Sequence, residues 1–356
     1  MNKDKNFWKN KKVLITGHTG FKGSWLSMLL HELGAKLFGF SLKPQKKFLF
    51  EKAKLEKIFL RSTYGNILDY KKLKNNLRIT KPEIIFHLAA QPLVVESYKN
   101  PRETFDTNII GTVNLLEAAR NIKSIKTIII ITTDKVYKIK KNNPHYTENH
   151  LVGASDPYGT SKSCVELISE CYKYSFFNNA DISITSARAG NVIGGGDYSD
   201  NRIVPDYLNA LNRKKNLVLR NPMNVRPWQY VLEPLYGYTL LAKQKYSSRK
   251  NTKFDSWNFA PNLKDSISVK KLIELLQKSK FNLRKVKVTE KKSQQKEKET
   301  DILRLSAAKA KKYLNWRIKF SLKKTIDTIL NWNEQVKKDS YSNVCKRSIK
   351  EFLRHK

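Results

Sequence analysis

The sequence predicts an α/β chain: a doubly wound parallel sheet carrying a smaller C-terminal lobe. Three observations predict it. The first half alternates short apolar runs with amphipathic stretches, the rhythm of strand–helix–strand units. A glycine-rich turn, Gly17 to Gly23, directly follows the first apolar run. After Arg188 the rhythm gives way to loops and short elements.

In chain order, Val13–Thr16 reads as a strand and Phe21–Leu33 as a helix ended by Gly34. Lys36–Phe40 is the second strand, Glu83–Leu88 a later one, Thr104–Asn121 a helix and Thr127–Thr132 a strand. The long helix Pro157–Phe177 has the best-marked start, with Asp156 as N-cap and Pro157 in the first turn. Ile182–Ala187 adds a parallel strand. Beyond it come a loop at Asn191–Arg202, a helix at Ile203–Asn212, a strand at Leu217–Leu219 and a helix at Val231–Lys245. Trp257–Phe259 reads as a strand, Val269–Lys278 and Leu322–Gln335 as helices, and Lys291–Thr300 as an exposed loop. The expected division is a dinucleotide-binding Rossmann domain over 1–188, with 225–260 returning to it. Residues 189–224 and 261–345 then form a substrate-binding lobe, and 346–356 a basic tail.

A chain of 356 residues, 40% hydrophobic and 28% charged, has the length and composition of a globular protein with a sizeable core. No run approaches the roughly 18–20 apolar residues of a membrane span, and Met1–Lys12 lacks the apolar core of a secretory signal. Cys164, Cys171 and Cys345 have neither paired nor metal-ligand spacing. A reduced, cytoplasmic setting is therefore expected, with no metal site and no membrane partner. The formal charge of +38 is mostly lysine and is spread along the chain, with concentrations only at Lys285–Lys298 and Lys346–Lys356. Nucleic-acid sites gather arginine and aromatic residues in one patch. A solvated lysine surface is the plainer reading, and a nucleic-acid partner is not expected.

Two motifs carry chemistry. Gly17, Gly20 and Gly23 give the spacing GxxGxxG between a strand and a helix. Glycines there allow a tight turn and close approach of backbone to a pyrophosphate, which the helix N-terminus favours. The second strand ends in Ser41, Leu42 and Lys43 without the acidic residue that usually holds an NAD ribose. On those residues alone NAD and NADP stay open. The other motif is Tyr158 with Lys162, four apart and hence on one helix face. A phenol near pKa 10 acts as a base at neutral pH only where positive charge stabilises its phenolate. Lys162 is expected to supply that charge. Upstream, Thr133, Asp134 and Lys135 end a strand at the carboxyl edge of the sheet, a plausible acid–base cluster as well as an ordinary turn.

Together these segments resemble the extended short-chain dehydrogenase/reductase family, in its branch that dehydrates CDP-glucose. The matching stretches are Thr16–Trp25 (TGHTGFKGSW), His87–Pro92 (HLAAQP), Thr133–Tyr137 (TDKVY), Tyr158 to Lys162 and Ala187–Asp197 (ARAGNVIGGGD). Arg220–Pro222 (RNP) and Arg226–Pro234 (RPWQYVLEP) complete the set, which covers roughly residues 10–262. The resemblance implies a bound NAD, a nucleotide-sugar substrate and a homodimer formed through helices that include Thr104–Asn121 and Pro157–Phe177. It implies that Gly17, Gly20, Phe21, Gly23, Asn66, Ile67, Ala89, Ala90, Asn108, Tyr158 and Lys162 line the cofactor site. The family often has Asp where Asn66 stands. Gln91, Arg188, Asn191, Arg202, Arg220 and Arg226 are implied for the sugar-nucleotide side, with Arg226 favoured. The implied reaction is an internal redox dehydration: Thr133 and Tyr158 at O4, Asp134 as the acid at the 6-hydroxyl and Lys135 as the base at C5. A different nucleotide-sugar 4,6-dehydratase, a 4-epimerase, or a binding protein without turnover are the alternatives.

Overall fold

The computed structural model describes residues 2–140, 145–178, 181–248, 252–290 and 303–355. The strands in chain order are β1 (Lys12–Thr16), β2 (Lys36–Ser41), β3 (Phe59–Tyr64), β4 (Ile84–His87), β5 (Thr127–Ile131) and β6 (Ser183–Ala189). Short strands follow: β7 (Val192–Ile193), β8 (Leu217–Leu219), β9 (Val225–Pro227), β10 (Gln229–Tyr230), β11 (Asp255–Phe259), β12 (Ser266–Ser268) and β13 (Val288–Glu290).

Seven of them make one parallel sheet in the order β11-β6-β5-β4-β1-β2-β3. The run TIIII of β5 is buried throughout, as a strand covered by helices on both faces requires. Val13 and Ile15 enter one apolar core, while Leu14 between them enters another, so β1 divides the two faces of the sheet. From β1 the chain moves outward to β2 and β3, then returns past β1 to β4 and onward. That reversal opens a crevice at the carboxyl ends of β1 and β4, where this class of sheet binds ligands. The predicted doubly wound fold is thus present.

The second half forms a smaller body with its own core, built from the helices Ile203–Arg213, Val269–Lys278 and Leu322–Gln335. Three two-stranded ladders, β7–β10, β9–β12 and β8–β13, brace it. Two expectations are corrected. The helix foreseen at Thr104–Asn121 begins at Pro101, carries a π-turn at Asp106–Ile110 and ends at Ala119. The basic end of the chain is no tail: Tyr341–Arg354 is a helix. Val344, Cys345, Ile349 and Phe352 are buried on one face of it, and Phe352 packs against Tyr230, Tyr236 and Phe320. Helical apolar spacing there outweighs the lysine content. β3 and the helix Tyr70–Thr80 were not foreseen, because β3 is a half-exposed edge strand without an apolar run. The Lys291–Thr300 expectation lies outside the described residues.

Candidate active site

The glycine turn is built by close approach. Gly17 has φ +70, and its N–H donates to the Phe40 carbonyl at 2.9 Å. A Cβ on Gly17 would stand 2.7 Å from the Ala89 nitrogen, and one on Gly23 would stand 2.2 Å from the Gly17 oxygen. Gly20 is the N-cap of the Phe21–Glu32 helix and offers no side-chain acceptor to its first amides. The result is a cradle of bare backbone at a helix N-terminus, the arrangement a diphosphate fits. Thr19 Oγ1 hydrogen-bonds Ser41 Oγ at 2.7 Å and donates to the Leu42 carbonyl, so the Ser41 hydroxyl already has a partner at the end of β2.

Around this cradle, the Ala89 N–H donates to Thr16 Oγ1 at 3.2 Å. Ala90 is half-buried in the loop after β4. Ile67 is buried, and a Cβ on Gly111 would meet it at 2.6 Å. Asn66 Oδ1 accepts from the Leu68 N–H within its own turn. Asn108 corrects the expectation of a ligand-facing side chain. It is buried, accepts from the Gln91 N–H, and donates to the Gln91 carbonyl and Ser161 Oγ. Gln91 is corrected likewise: its amide donates to Thr104 Oγ1 and the Leu93 carbonyl and accepts from the Leu93 N–H. Both residues hold the loop after β4 in shape.

Across the crevice, the helix Pro157–Phe176 starts as foreseen, with Asp156 Oδ1 accepting the Gly159 N–H at 2.9 Å. A Cβ on Gly159 would meet the Lys135 carbonyl at 2.7 Å, so this helix rests directly on the Thr133–Lys135 turn. Tyr158 and Lys162 are both buried on that side. Thr133 is hydrogen-bonded to the Tyr158 phenol, donates to Asp134 Oδ1 at 3.0 Å and accepts the Lys135 N–H at 3.3 Å. The structure therefore brings Thr133, Asp134, Lys135, Tyr158 and Lys162 together.

Burial dominates the electrostatics. It lifts the Tyr158 phenol to about 12, against its hydrogen bond with Thr133 and the charge of Arg202. The Lys162 ammonium donates to the Ile131 carbonyl at 3.1 Å, and burial and then Lys22 draw it down to about 7. Asp134 is only 2% exposed, and burial raises its carboxyl above the usual range despite Lys135, Thr133, Arg226 and Lys22. Its Oδ2 has no hydrogen-bond partner among the described residues. A carboxyl in that condition favours its protonated form.

The arginines divide. Arg188 is 3% exposed and is bound through Nε and Nη2 to Glu166, with Nη1 donating to Tyr137. The expectation that it faces a sugar nucleotide is corrected: β6 alternates, and this position points to a buried acid. Arg202 pairs with Asp197 at 3.6 Å, and its charge acts on Tyr158. Arg226 is buried, donates to the Val225 carbonyl at 2.9 Å and acts on Asp134. Arg220 is half-buried, and its charge acts on Asp206. The Asn191 carbonyl accepts the Gln229 N–H at 3.0 Å, joining β7 to β10. One functional candidate was missed. Lys22, inside the glycine turn, acts on both Lys162 and Asp134. A charged residue among turn glycines was the available signal.

Among the described residues no three His, Cys, Asp or Glu side chains gather as a metal site, and no helix is long and apolar enough to cross a membrane. The sequence pattern of the GDP-mannose 4,6 dehydratase family matches residues 14–329. The chain is 39% identical over 363 residues to the CDP-glucose 4,6-dehydratase of Salmonella typhimurium, covering 98% of each chain. Among solved structures, a UDP-glucuronic acid 4-epimerase from Bacillus cereus, in complex with UDP-glucuronic acid and NAD, superposes with a TM-score of 0.76 at 23% identity. That match covers 91% of this chain and 99% of the epimerase. A dTDP-glucose 4,6-dehydratase from Bacillus anthracis, in complex with NAD, gives a TM-score of 0.73 at 21% identity, covering 94% of this chain and 99% of that one.

Proposed function

Because the chain belongs to the GDP-mannose 4,6 dehydratase family, we propose that it converts CDP-glucose to CDP-4-keto-6-deoxyglucose and water, using NAD. The observation that carries this reading is the buried Asp134 carboxyl beside Lys135, its Oδ2 without a hydrogen-bond partner among the described residues, on the turn against which the Tyr158 helix rests. A 4-epimerase moves hydride at one carbon only and has no need of an acid–base pair for losing water.

Gly17, Gly20, Gly23 and the helix start among them would hold the dinucleotide diphosphate, with the Ser41 hydroxyl engaged by Thr19 at the end of β2. When bound, NAD supplies a hydride acceptor that is restored each cycle. The chain's own groups move the protons. Tyr158, hydrogen-bonded to Thr133, takes the O4 proton. The 4-ketone makes the C5 proton acidic, and Lys135 removes it. Asp134, whose carboxyl burial raises above the usual range, gives a proton to the departing 6-hydroxyl, which leaves as water. C5 is reprotonated once C6 is reduced, so two protons leave the sugar and two are given back.

Arg202, Arg220, Arg226 and Asn191 form the sugar-nucleotide side in this reading, Arg226 foremost because its charge reaches Asp134. Residues 1–188 with 225–260 carry the cofactor, and 189–224 with 261–345 carry the substrate. A cytoplasmic homodimer fits as well. The three cysteines are free, and Ile110, Leu167, Tyr174 and Phe176 expose apolar surface on the two helices expected to pair. The test is to supply CDP-, UDP-, GDP- and dTDP-glucose in turn and weigh the products. CDP-glucose should give the fastest loss of one water. Faster loss from another nucleotide would move the substrate assignment to that nucleotide.

A further inference from the structure

We propose that the buried Glu166–Arg188 pair positions the turn Thr133–Lys135 for the loss of water, by gripping the chain on both sides of it. The proposal rests on the dehydration reading above.

Tyr158, Lys162 and Glu166 follow at intervals of four on the helix Pro157–Phe176, and so share one face. Glu166 Oε1 accepts from the Thr132 hydroxyl at 2.6 Å, on the residue just before the turn. Arg188, on β6, donates through Nε to both Glu166 oxygens, at 2.9 and 3.1 Å, and through Nη2 to Oε2. Its Nη1 donates to the Tyr137 hydroxyl at 2.8 Å, two residues past the turn. The Tyr137 hydroxyl donates onward to Asn258 Oδ1 on β11, at 2.7 Å. Thr132, Tyr137, Glu166, Arg188 and Asn258 are all buried.

Two further bonds from the same helix hold this stretch. Lys162 Nζ donates to the Ile131 carbonyl at 3.1 Å, and Ser163 Oγ donates to the Val136 carbonyl at 2.9 Å. Residues 131, 132, 136 and 137 are thus fastened, and 133–135 span the gap between them. The Asp134 carboxyl accepts at Oδ1 from its neighbour Thr133, and its Oδ2 has no hydrogen-bond partner among the described residues. Its aim therefore follows the backbone of the turn, which the flanking bonds set. A buried bidentate arginine–carboxylate pair is directional, while as a source of stability it gains little over apolar packing. Misplacing a reacting group by about 1 Å can cost on the order of 10²-fold in rate. The base at C5 and the acid at the 6-hydroxyl both ride on this turn, so the pair acts on the loss of water through them.

The test leaves Glu166 and Arg188 in place, since removing either strands a buried charge. Thr132→Val takes away the hydroxyl at one end of the turn, Tyr137→Phe the hydroxyl at the other, and Thr132→Ser keeps the first. Ser256→Ala is the control, because its hydroxyl is bonded to Arg188, Glu166 and Ser186 rather than to the turn. Product mass follows the loss of water from CDP-glucose, thermal unfolding reads the fold, and kcat and KM are taken per folded molecule. Thr132→Val and Tyr137→Phe should each lower kcat on the order of 10-fold with KM near the parental value. Thr132→Ser and Ser256→Ala should keep kcat near that of the parent, whatever the shift in Tm. A parental kcat in Thr132→Val or Tyr137→Phe, a rise in KM that accounts for the loss, or an equal fall of kcat in Ser256→Ala would overturn the proposal. A parent that leaves the mass of CDP-glucose unchanged overturns the dehydration reading and this one with it.

Discussion

Arg188 and Asp134 both lie buried near the same sheet edge, yet Arg188 is fully bonded to a buried acid while Asp134 Oδ2 has no partner among the described residues. Arg188 satisfies Glu166, so removing it would strand a buried carboxylate. Arg188→Ala should cost about 3–5 kcal/mol of stability, read by chemical or thermal denaturation. A sugar-binding arginine would instead leave stability intact and raise KM, and that outcome would restore the expectation the structure corrects. At this scale the sequence was partly legible. That Tyr158 and Lys162 share a helix face, and that Thr133, Asp134 and Lys135 lie at a strand end, could be read from spacing, because helical and strand geometry fixes where such neighbours stand. The direction of Arg188 and the inward turn of Asn108 were not. Each depends on a contact with a residue distant in sequence, Glu166 and Ser161.

Elements follow the same logic. β5 and the Pro157–Phe176 helix were readable because a run of isoleucines and an Asp-Pro start are local signals. β3 is held by β2 and lacks such a signal, while the apolar spacing of the Tyr341–Arg354 helix is masked by its lysines and arginines. The helix Leu232–Ser247 shows how one polar side chain joins elements. Buried Glu233 accepts the Lys319 and Phe320 N–H groups through Oε1, tying this helix to the segment before Leu322–Gln335. Burial lifts its carboxyl to about 8, against those two backbone bonds. A carboxyl raised in the folded state keeps its proton where the unfolded chain has lost it. The stability it contributes is full below the unfolded pKa, near 4.5, and is lost as pH rises to about 8. The Tm difference between parent and Glu233→Gln should therefore move in favour of the variant by a few degrees between about pH 5 and pH 8. A difference that stays constant with pH would show that Glu233 titrates normally.

At the scale of the molecule, the reversal of strand order at β1 and β4 sets the crevice, and the second body packs over the same edge of the sheet through β7, β10 and the 190–202 loop. This architecture was legible because strand–helix alternation and a glycine turn are repeated, local patterns. The net charge of +38 was not legible as function, since lysines spread over a surface carry no address. The site itself has a specific consequence for the whole catalytic cycle: hydride must leave C4 and return at C6 of the same sugar. CDP-glucose deuterated at C4 measures this directly. The product should be lighter by one water, carry the deuterium at C6 and form without net reduced nicotinamide. A product of unchanged mass with C4 inverted, or one that has lost its deuterium while reduced cofactor accumulates, would contradict it.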